Sequence, residues 1–257
     1  MNSRRIAHLL LWALAGTLLF SCSAEKEKRV LVFYKTTGFR HTPAIETGKD
    51  VLHQLGTEKG YVVDTAQDAT LFHDDTLKNY SAVVFLNTTG NPLNHHQQAA
   101  FERFIQAGGG FIGIHAAADT EYKWPWYGKL VGGYFNGHPS KPNVRPGKVS
   151  IINTDHPATE GLGPVVDKLD EYYNYHTFNE DVTVLATVDE KSYGAGKMGD
   201  FHPITWYHEY DGGRAFYTGL GHTAEMFSDP DFVHMMKGAL SYAVGEGQLN
   251  YASAQTL

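Results

Sequence analysis

The sequence predicts an α/β protein with a doubly wound, mostly parallel sheet and antiparallel additions in the C-terminal half. In the first half, short apolar runs bounded by turn residues alternate with helical segments, which is the pattern of βαβ units. Residues 108–120 combine glycines, an apolar run and small residues, which is typical of a buried parallel strand that ends in a tight turn. From residue 149 onwards, polar alternation favours antiparallel pairing.

The predicted strands are apolar or alternating runs between turn signals. They cover residues 29–35, 61–65, 82–86, 111–114, 149–153, 182–188, 204–210 and 215–218. An aromatic and glycine-rich insertion over residues 124–139 interrupts this pattern, and we expect it to supply the walls of a site.

Proline, glycine and small polar residues mark the predicted helix ends. Pro43 favours the first turn of a helix, so Thr42 is its predicted cap and Gly60 its stop. Asn94 is predicted to cap a second helix that runs to Ala107. The closing helix is marked by Asp229 as cap, Pro230 at the first position and Gly245 at the end.

The N-terminus predicts a bacterial lipoprotein signal peptide. Two arginines precede an apolar run over residues 6–20, which is too short and wrongly flanked for an ordinary spanning helix. Residues 19–22 resemble a lipobox, and lipidation explains why Cys22 is the only cysteine of the chain. The alternatives are a cleaved soluble signal and an uncleaved anchor. We expect a lipid-anchored protein of the bacterial cell envelope, periplasmic or surface-facing.

We predict one large domain over residues 29–246, with a signal peptide at 1–21, a tether at 22–28 and a tail at 247–257. The net charge of −7 without a basic cluster argues against a nucleic-acid partner, and contact with a membrane is expected through the lipid anchor only. One cysteine allows neither an internal disulfide nor a Cys-rich zinc site. Many aromatic residues lie beside histidines in the second half, which favours a small saccharide as the partner. The oligomeric state stays open.

Histidines at the ends of predicted strands are the main candidates for chemistry. His115 directly follows the apolar strand, His41 follows the first strand, and His222 follows the last. Because the carboxyl ends of parallel strands meet at one edge of a sheet, we expect these three imidazoles to lie together. Asp119 is predicted to orient His115 by accepting a hydrogen bond from its second nitrogen. For each histidine, the alternative is a hydrogen-bonded imidazole of the core or a loop.

Glu171 is the candidate general base, because aromatic neighbours are expected to shield its carboxylate and raise its pKa. The alternative is a structural role, with Asp170 capping a turn and Glu171 paired to Arg214. Six further residues are predicted to contact substrate, although the rings among them could equally cover the core. These are His138, His202, Trp206, His222, Tyr172 and Trp126.

A divalent metal is a further candidate, because neutral imidazoles with a carboxylate suit zinc, nickel or manganese. The candidate ligands are His41, His115 and His222, although no two histidines have the spacing of a helical metal motif. A phosphate-binding loop, a dinucleotide-binding glycine motif and a Gly-x-Ser-x-Gly elbow are all absent from the sequence, which argues against nucleotide and serine-hydrolase chemistry.

Together these motifs resemble the ThuA-like family, which is named for trehalose utilisation and is related in fold to the flavodoxin-like class I glutamine amidotransferases. The resemblance extends over residues 30–245. Its motifs lie at residues 37–41, 108–117, 124–127, 132–138, 156–157, 170–172, 202–206 and 212–222. In the amidotransferases the elbow carries a cysteine nucleophile, whereas this chain has His115 there, so thiol chemistry is excluded at that position.

The resemblance implies carbohydrate catabolism, often beside dehydrogenases that oxidise a sugar to its 3-keto form. We therefore predict a lyase, isomerase or hydrolase of 3-keto disaccharides or glycosides, in which Glu171 or a histidine removes the C2 proton. One alternative is a lipid-anchored glycan-binding protein without catalysis. Hydrolysis by paired carboxylates from Asp119, Asp170 and Glu171 is a weaker alternative.

Overall fold

The computed structural model describes residues 27–252 and residue 254. The predicted signal peptide, Cys22 and most of the tether lie outside these residues, so the lipid anchor stays a prediction. Within the described chain, no helix combines the length and the apolar character needed to span a membrane.

One large sheet dominates the described chain. Its strand order is β2-β1-β3-β4-β11-β10-β9-β6-β7, and β5 and β8 form a separate two-stranded ribbon. The strands are β1 (Arg29–Phe33), β2 (Val62–Ala66), β3 (Ala82–Leu86), β4 (Gly110–Ile114), β5 (Tyr134–Phe135), β6 (Val144–Ile151), β7 (Val165–Glu171), β8 (Tyr175–His176), β9 (Thr183–Asp189), β10 (Pro203–Tyr210) and β11 (Gly213–Thr218).

Helices cover both faces of the parallel part of this sheet. The α-helices of the described chain are α1 (Thr42–Glu58), α2 (Asp74–Leu77), α3 (His95–Gln106), α4 (Pro125–Val131), α5 (Glu190–Tyr193) and α6 (Pro230–Val244). Alternate strand residues pack into two hydrophobic cores, one on each face of the sheet. Val30 and Val32 pack with α1 and α6, whereas Leu31 and Phe33 pack with α3 and α4. This packing on both faces explains why the central strands β1, β3 and β4 are almost entirely apolar.

The predicted fold class is confirmed. Strands β2, β1, β3, β4 and β11 pair in parallel, and all pairs from β11 to β7 are antiparallel. Two reversals between β11 and β9, and two more between β9 and β7, leave β7 running in the same direction as β11. The carboxyl ends of β1, β4, β11 and β7 therefore lie at one edge of the sheet.

The predicted helix caps are largely confirmed. Asn94 caps α3, with Oδ1 accepting from the Gln97 amide at 3.1 Å, and Asp229 caps α6. The prediction for α1 is wrong by one residue: His41 occupies the capping position and Thr42 is already helical. The His41 ring makes no capping hydrogen bond, which leaves its side chain for the sheet edge.

Strand β7 is not among the strands predicted from the sequence. Polar residues hide its alternation, because on this outer strand even inward positions such as Lys168 and Asp170 are charged. Both are buried, and the Lys168 ammonium lies 2.7 Å from the Asp229 carboxylate. Sequence periodicity cannot reveal a strand whose buried positions are occupied by paired charges.

Candidate functional site

Three imidazoles and one carboxylate converge at the shared sheet edge, as the sequence predicted for His41, His115 and His222. The ring centroids lie 5.1 Å apart for His41 and His115, 4.9 Å for His41 and His222, and 5.0 Å for His115 and His222. Glu171, at the end of β7, is the fourth member. One ligand atom from each of the four lies within 4.8 Å of the others. We call these four residues the His/Glu cluster.

His115 is held by its backbone conformation and by one hydrogen bond. Its φ of 47° lies in the left-handed region, which is uncommon outside glycine and is often found at functional sites. Its Nδ1 donates to the Gly219 carbonyl oxygen at 2.7 Å, because a carbonyl can only accept. The lone pair is therefore on Nε2, which lies 3.1 Å from His222 Nδ1 and 3.4 Å from Glu171 Oε2.

Asp119 does not orient His115, and that prediction is wrong. Asp119 ends the 3₁₀ turn that begins at His115, and its Oδ1 instead accepts from the Tyr122 hydroxyl at 2.6 Å. The backbone carbonyl of Gly219 has taken the predicted role. A backbone acceptor from a distant loop carries no sequence signal of its own.

Glu171 is the most highly connected member of the cluster. It is 2% exposed, and its Oε2 lies 3.1 Å from His222 Nδ1. Its Oε1 accepts from Asn143 Nδ2 at 2.6 Å and lies 3.3 Å from His138 Nδ1. Burial disfavours the charge, but the neighbouring imidazoles of His115 and His222 and the hydrogen bond from Asn143 outweigh it and lower the pKa of Glu171.

The expected raised pKa of Glu171 is thus wrong, because the aromatic neighbours in the sequence did not reveal its hydrogen-bond donors. An ionised carboxylate surrounded by donors is suited to hold a cation or a protonated imidazole. The predicted alternative pairing with Arg214 is also absent, since that guanidinium donates to the backbone carbonyls of Gly108 and Ala243.

Asp170 holds the loop that carries His222. Its side chain is fully buried, and burial raises its pKa. Oδ2 accepts from the Gly221 amide at 2.7 Å, and Oδ1 accepts from the amides of His222 at 3.2 Å and Glu171 at 3.0 Å. Asp170 therefore ties two distant segments of the cluster together, which replaces the predicted turn cap with a positioning role.

His41 contributes a nitrogen that lacks a partner. The residue is 6% exposed, and its Nδ1 is buried without a hydrogen bond in the described chain. Burial and the neighbouring His115 and His222 lower its pKa to about 2, so the ring is neutral. A neutral imidazole carries one N–H group and one lone pair, so the ring can offer one lone pair to a cation.

The donor set fits a divalent transition metal. Three imidazoles and one carboxylate match zinc-type coordination, and the bond from His115 Nδ1 to a carbonyl is the usual outer contact of a ligating histidine. The His/Glu cluster can therefore hold a metal ion. Other first-row metals that accept nitrogen and oxygen ligands fit the same set.

Side chains around the cluster form its rim. The Tyr173 ring packs 4.1 Å from His115, and His138, whose side chain is 31% exposed, stacks against Tyr173 at 6.1 Å. His138 Nδ1 also donates to the Pro139 carbonyl at 2.7 Å. Sequence reasoning missed Tyr173 and Asn143, and only the neighbouring motif at Asp170 pointed towards the tyrosine.

Three of the predicted substrate contacts belong to the core instead. Trp206 has no exposed surface and donates to the Val131 carbonyl, and the buried Tyr172 hydroxyl donates to the backbone carbonyl of Lys168. His202 is buried with its Nε2 bonded to the Tyr173 carbonyl. Rings without accessible surface cannot stack on a sugar, so these predictions are wrong and the structural alternative holds.

Trp126 also lies away from the cluster. It is half-buried, and its indole nitrogen donates to Asp211 at 2.8 Å. Asp211 lies in the turn between β10 and β11, at the edge opposite the His/Glu cluster. The predicted contact between Trp126 and substrate at the cluster is therefore wrong.

His156 is a core imidazole that predicts acid sensitivity. It packs against Tyr207 and Tyr242, and burial lowers its pKa from 6.5 to about 4. In the unfolded chain the His156 imidazole becomes protonated below pH 6.5, whereas in the folded chain it does so only below about pH 4. The stability that depends on its neutral form is therefore complete above pH 6.5 and is lost as the pH falls from 6.5 to about 4. When the pH falls from 7.5 to 5, we expect the unfolding free energy of the parent to decrease by about 1–2 kcal/mol more than that of His156→Phe.

Urea unfolding at the two pH values measures this difference. His53→Phe, at an exposed position of α1, is the matched control for loss of a surface imidazole. Equal losses in the parent and in His156→Phe would contradict the assignment.

Comparisons with known proteins agree with this fold and its resemblance. The ThuA family model, described as trehalose utilisation, matches residues 29–243. A ThuA-like protein from Bacteroides uniformis superposes with a TM-score of 0.70 at 26% identity, over 87% of this chain and 95% of that one. A ThuA-like protein from Parabacteroides merdae gives 0.68 at 20% identity, over 85% and 90%.

A glutamine amidotransferase from Thermotoga maritima shares the fold, with a TM-score of 0.52 at 11% identity over 86% of this chain and all of that one (100%). No curated protein matches the chain significantly. Because the family model extends over most of the sequence, the chain belongs to the ThuA family of trehalose utilisation.

Proposed function

We propose that this protein is an enzyme of carbohydrate catabolism that processes 3-keto disaccharides or glycosides at the His/Glu cluster with a divalent metal. The observation that carries the proposal is the set of four converging donors, one each from His41, His115, Glu171 and His222. Family membership supports a carbohydrate as the substrate. In this proposal the enzyme works in the cell envelope, anchored by lipid at Cys22.

His41, His115, Glu171 and His222 would hold the metal. When bound, a divalent ion supplies Lewis-acid polarisation of a ketone oxygen, which acidifies the neighbouring C–H bond. Glu171 is better suited to hold the metal than to act as the base, because its carboxylate already accepts hydrogen bonds on both oxygens.

His138 is the proposed proton acceptor. Its Nδ1 is engaged by the Pro139 carbonyl and lies beside Glu171, so the lone pair is on Nε2, for which the described residues offer no partner. The ring is partly exposed next to the cluster, where a bound sugar can reach it. A carboxylate near the other ring nitrogen stabilises the imidazolium that forms.

The proposed reaction is an elimination. His138 removes the C2 proton of a 3-keto-glycoside, and the electron pair forms an enolate between C2 and C3. When the ketone reforms, the pair moves to form a C1=C2 double bond, the bond from C1 to the glycosidic oxygen breaks, and the departing oxygen takes up a proton. Addition of water to the new double bond completes a net hydrolysis.

Turnover assays on matched sugars test this function. The purified protein, stripped of metal and reloaded with zinc, manganese or nickel, is given 3-keto-glucosides and their unoxidised parents. We expect alcohol release from the keto compounds alone and only from a metal-loaded protein. Calorimetric binding without product would instead support a non-catalytic glycan-binding protein, and neither binding nor turnover would contradict a saccharide function.

A further inference from the structure

Phe39 is an exposed aromatic ring beside the His/Glu cluster. Its side chain is 69% exposed, more than any other large apolar side chain of residues 27–252. Its ring centroid lies 4.8 Å from that of His41, in an edge-on contact. Single exposed apolar residues are common, so exposure alone carries no conclusion. The reasons to assign a role are the position of Phe39 next to His41 and the way its backbone is held.

The backbone around Phe39 is clamped to the loop after β3. The Gly38 amide donates to Thr89 Oγ1 at 3.1 Å, and that hydroxyl donates to the Phe39 carbonyl at 3.0 Å. The Thr37 amide donates to the Thr89 carbonyl at 2.9 Å. A Cβ on Gly90 would lie 2.2 Å from Thr37 Oγ1, so the two loops are in close contact.

This clamp fixes the backbone position from which the ring projects. The chain is fixed before Phe39 by the Thr89 contacts and after it by α1, whose Ile45 amide donates to the His41 carbonyl at 2.9 Å. These hydrogen bonds fix the backbone of Phe39 and therefore the direction of its Cα–Cβ bond. An aromatic ring on a fixed backbone has only two side-chain torsions to order when a ligand stacks on it.

A second partly exposed ring adjoins the cluster. His138 is 31% exposed and lies 3.3 Å from Glu171, whereas Phe39 adjoins His41. The cluster therefore adjoins both an imidazole with a free nitrogen and an exposed apolar ring. A pyranose ring matches both groups, because its edge carries polar oxygens that can contact the imidazole and its faces carry C–H groups that can stack on the phenyl ring.

We propose that Phe39 is the platform on which the pyranose ring of the substrate stacks, and that it selects cyclic glycosides. The inference rests on the proposed saccharide function and adds the surface that recognises the sugar ring. Phe39 acts in binding and not in proton transfer, so its removal should affect KM more than kcat.

Binding of unoxidised methyl glucoside, measured by calorimetry, tests the platform without requiring turnover. We expect Phe39→Ala to weaken binding about tenfold and Phe39→Trp to retain it, with a parallel rise of KM for the 3-keto-glucoside. Phe39→Leu separates aromatic stacking from apolar bulk and should resemble the alanine variant. Metal content should stay the same in all three variants.

Phe201→Ala is the matched control, because Phe201 is 57% exposed and forms no ring contact within the described chain. Unchanged sugar affinity in Phe39→Ala would overturn the platform and leave the proposed function intact if keto-glucoside turnover persists. Absence of sugar binding in the parent protein would overturn the platform as well. Loss of turnover with normal sugar affinity would point to the catalytic proposal instead.

Discussion

His115→Asn is expected to reduce metal affinity by at least about 100-fold and to abolish turnover of 3-keto-glucosides. Loss of an outer contact to a ligating histidine already weakens metal binding 10- to 100-fold, and His115 would be a direct ligand. Asparagine tolerates the left-handed backbone at this position better than alanine, so the variant removes Nε2 with little added strain. Metal content by mass spectrometry and initial rates on metal-loaded protein give the two readouts.

His96→Asn is the control, because His96 is exposed on α3 and lies outside the His/Glu cluster. A circular dichroism spectrum and a thermal unfolding midpoint show whether His115→Asn folds. A folded variant that binds metal as tightly as the parent would remove His115 from the ligand set. A folded variant that loses metal but keeps full turnover would separate the metal from the reaction.

The sequence was sufficient to predict where the imidazoles converge. His41, His115 and His222 each follow a strand with recognisable apolar character, and the rule that parallel strands end at one edge is independent of side-chain detail. The fold class rests on the same local signals. These predictions succeeded because the apolar runs, glycines and caps all agree with the final topology.

The fourth member of the cluster was found for the wrong reason. Glu171 was predicted from a carboxylate motif, but its position depends on four antiparallel pairings between β11 and β7 that no local pattern specifies. Asn143 reaches the carboxylate from a loop without any motif. Contacts between segments distant in sequence also determine the pKa, which is why the expected direction for Glu171 was reversed.

Aromatic motifs were the least informative signal. Trp206 and Phe39 both occur in motifs that carry the family resemblance, yet Trp206 is fully buried and Phe39 is 69% exposed. Residue type indicates that a ring has apolar surface to bury, but only packing decides whether protein or ligand covers it. A fully hydrogen-bonded core ring and an exposed ring on a clamped loop look alike in the sequence.

The second large effect is expected at Asp170, which links the loop of His222 to β7. Replacement by alanine leaves three backbone amides without their acceptor in a buried region, at Glu171, Gly221 and His222. We expect a loss of about 3–5 kcal/mol of unfolding free energy, together with metal affinity lowered 10- to 100-fold. The losses of stability and of metal affinity have the same cause, because the hydrogen bonds from these amides to Asp170 both hold the cluster in place and stabilise the fold.

Asp170→Asn provides the graded test of that common cause. Its single amide oxygen can serve the amides of Glu171 and His222, but its NH₂ group then faces the Gly221 amide, donor against donor. Stability and metal affinity should therefore both fall in the order parent, asparagine, alanine. Asp167→Ala is the control on the same strand, where an 80% exposed carboxylate pairs with Lys148 and its loss should cost less than about 1 kcal/mol. If Asp170→Ala lowers stability but binds metal as tightly as the parent, then the His222 loop does not need this carboxylate to hold its ligand in place, and the positioning role is wrong.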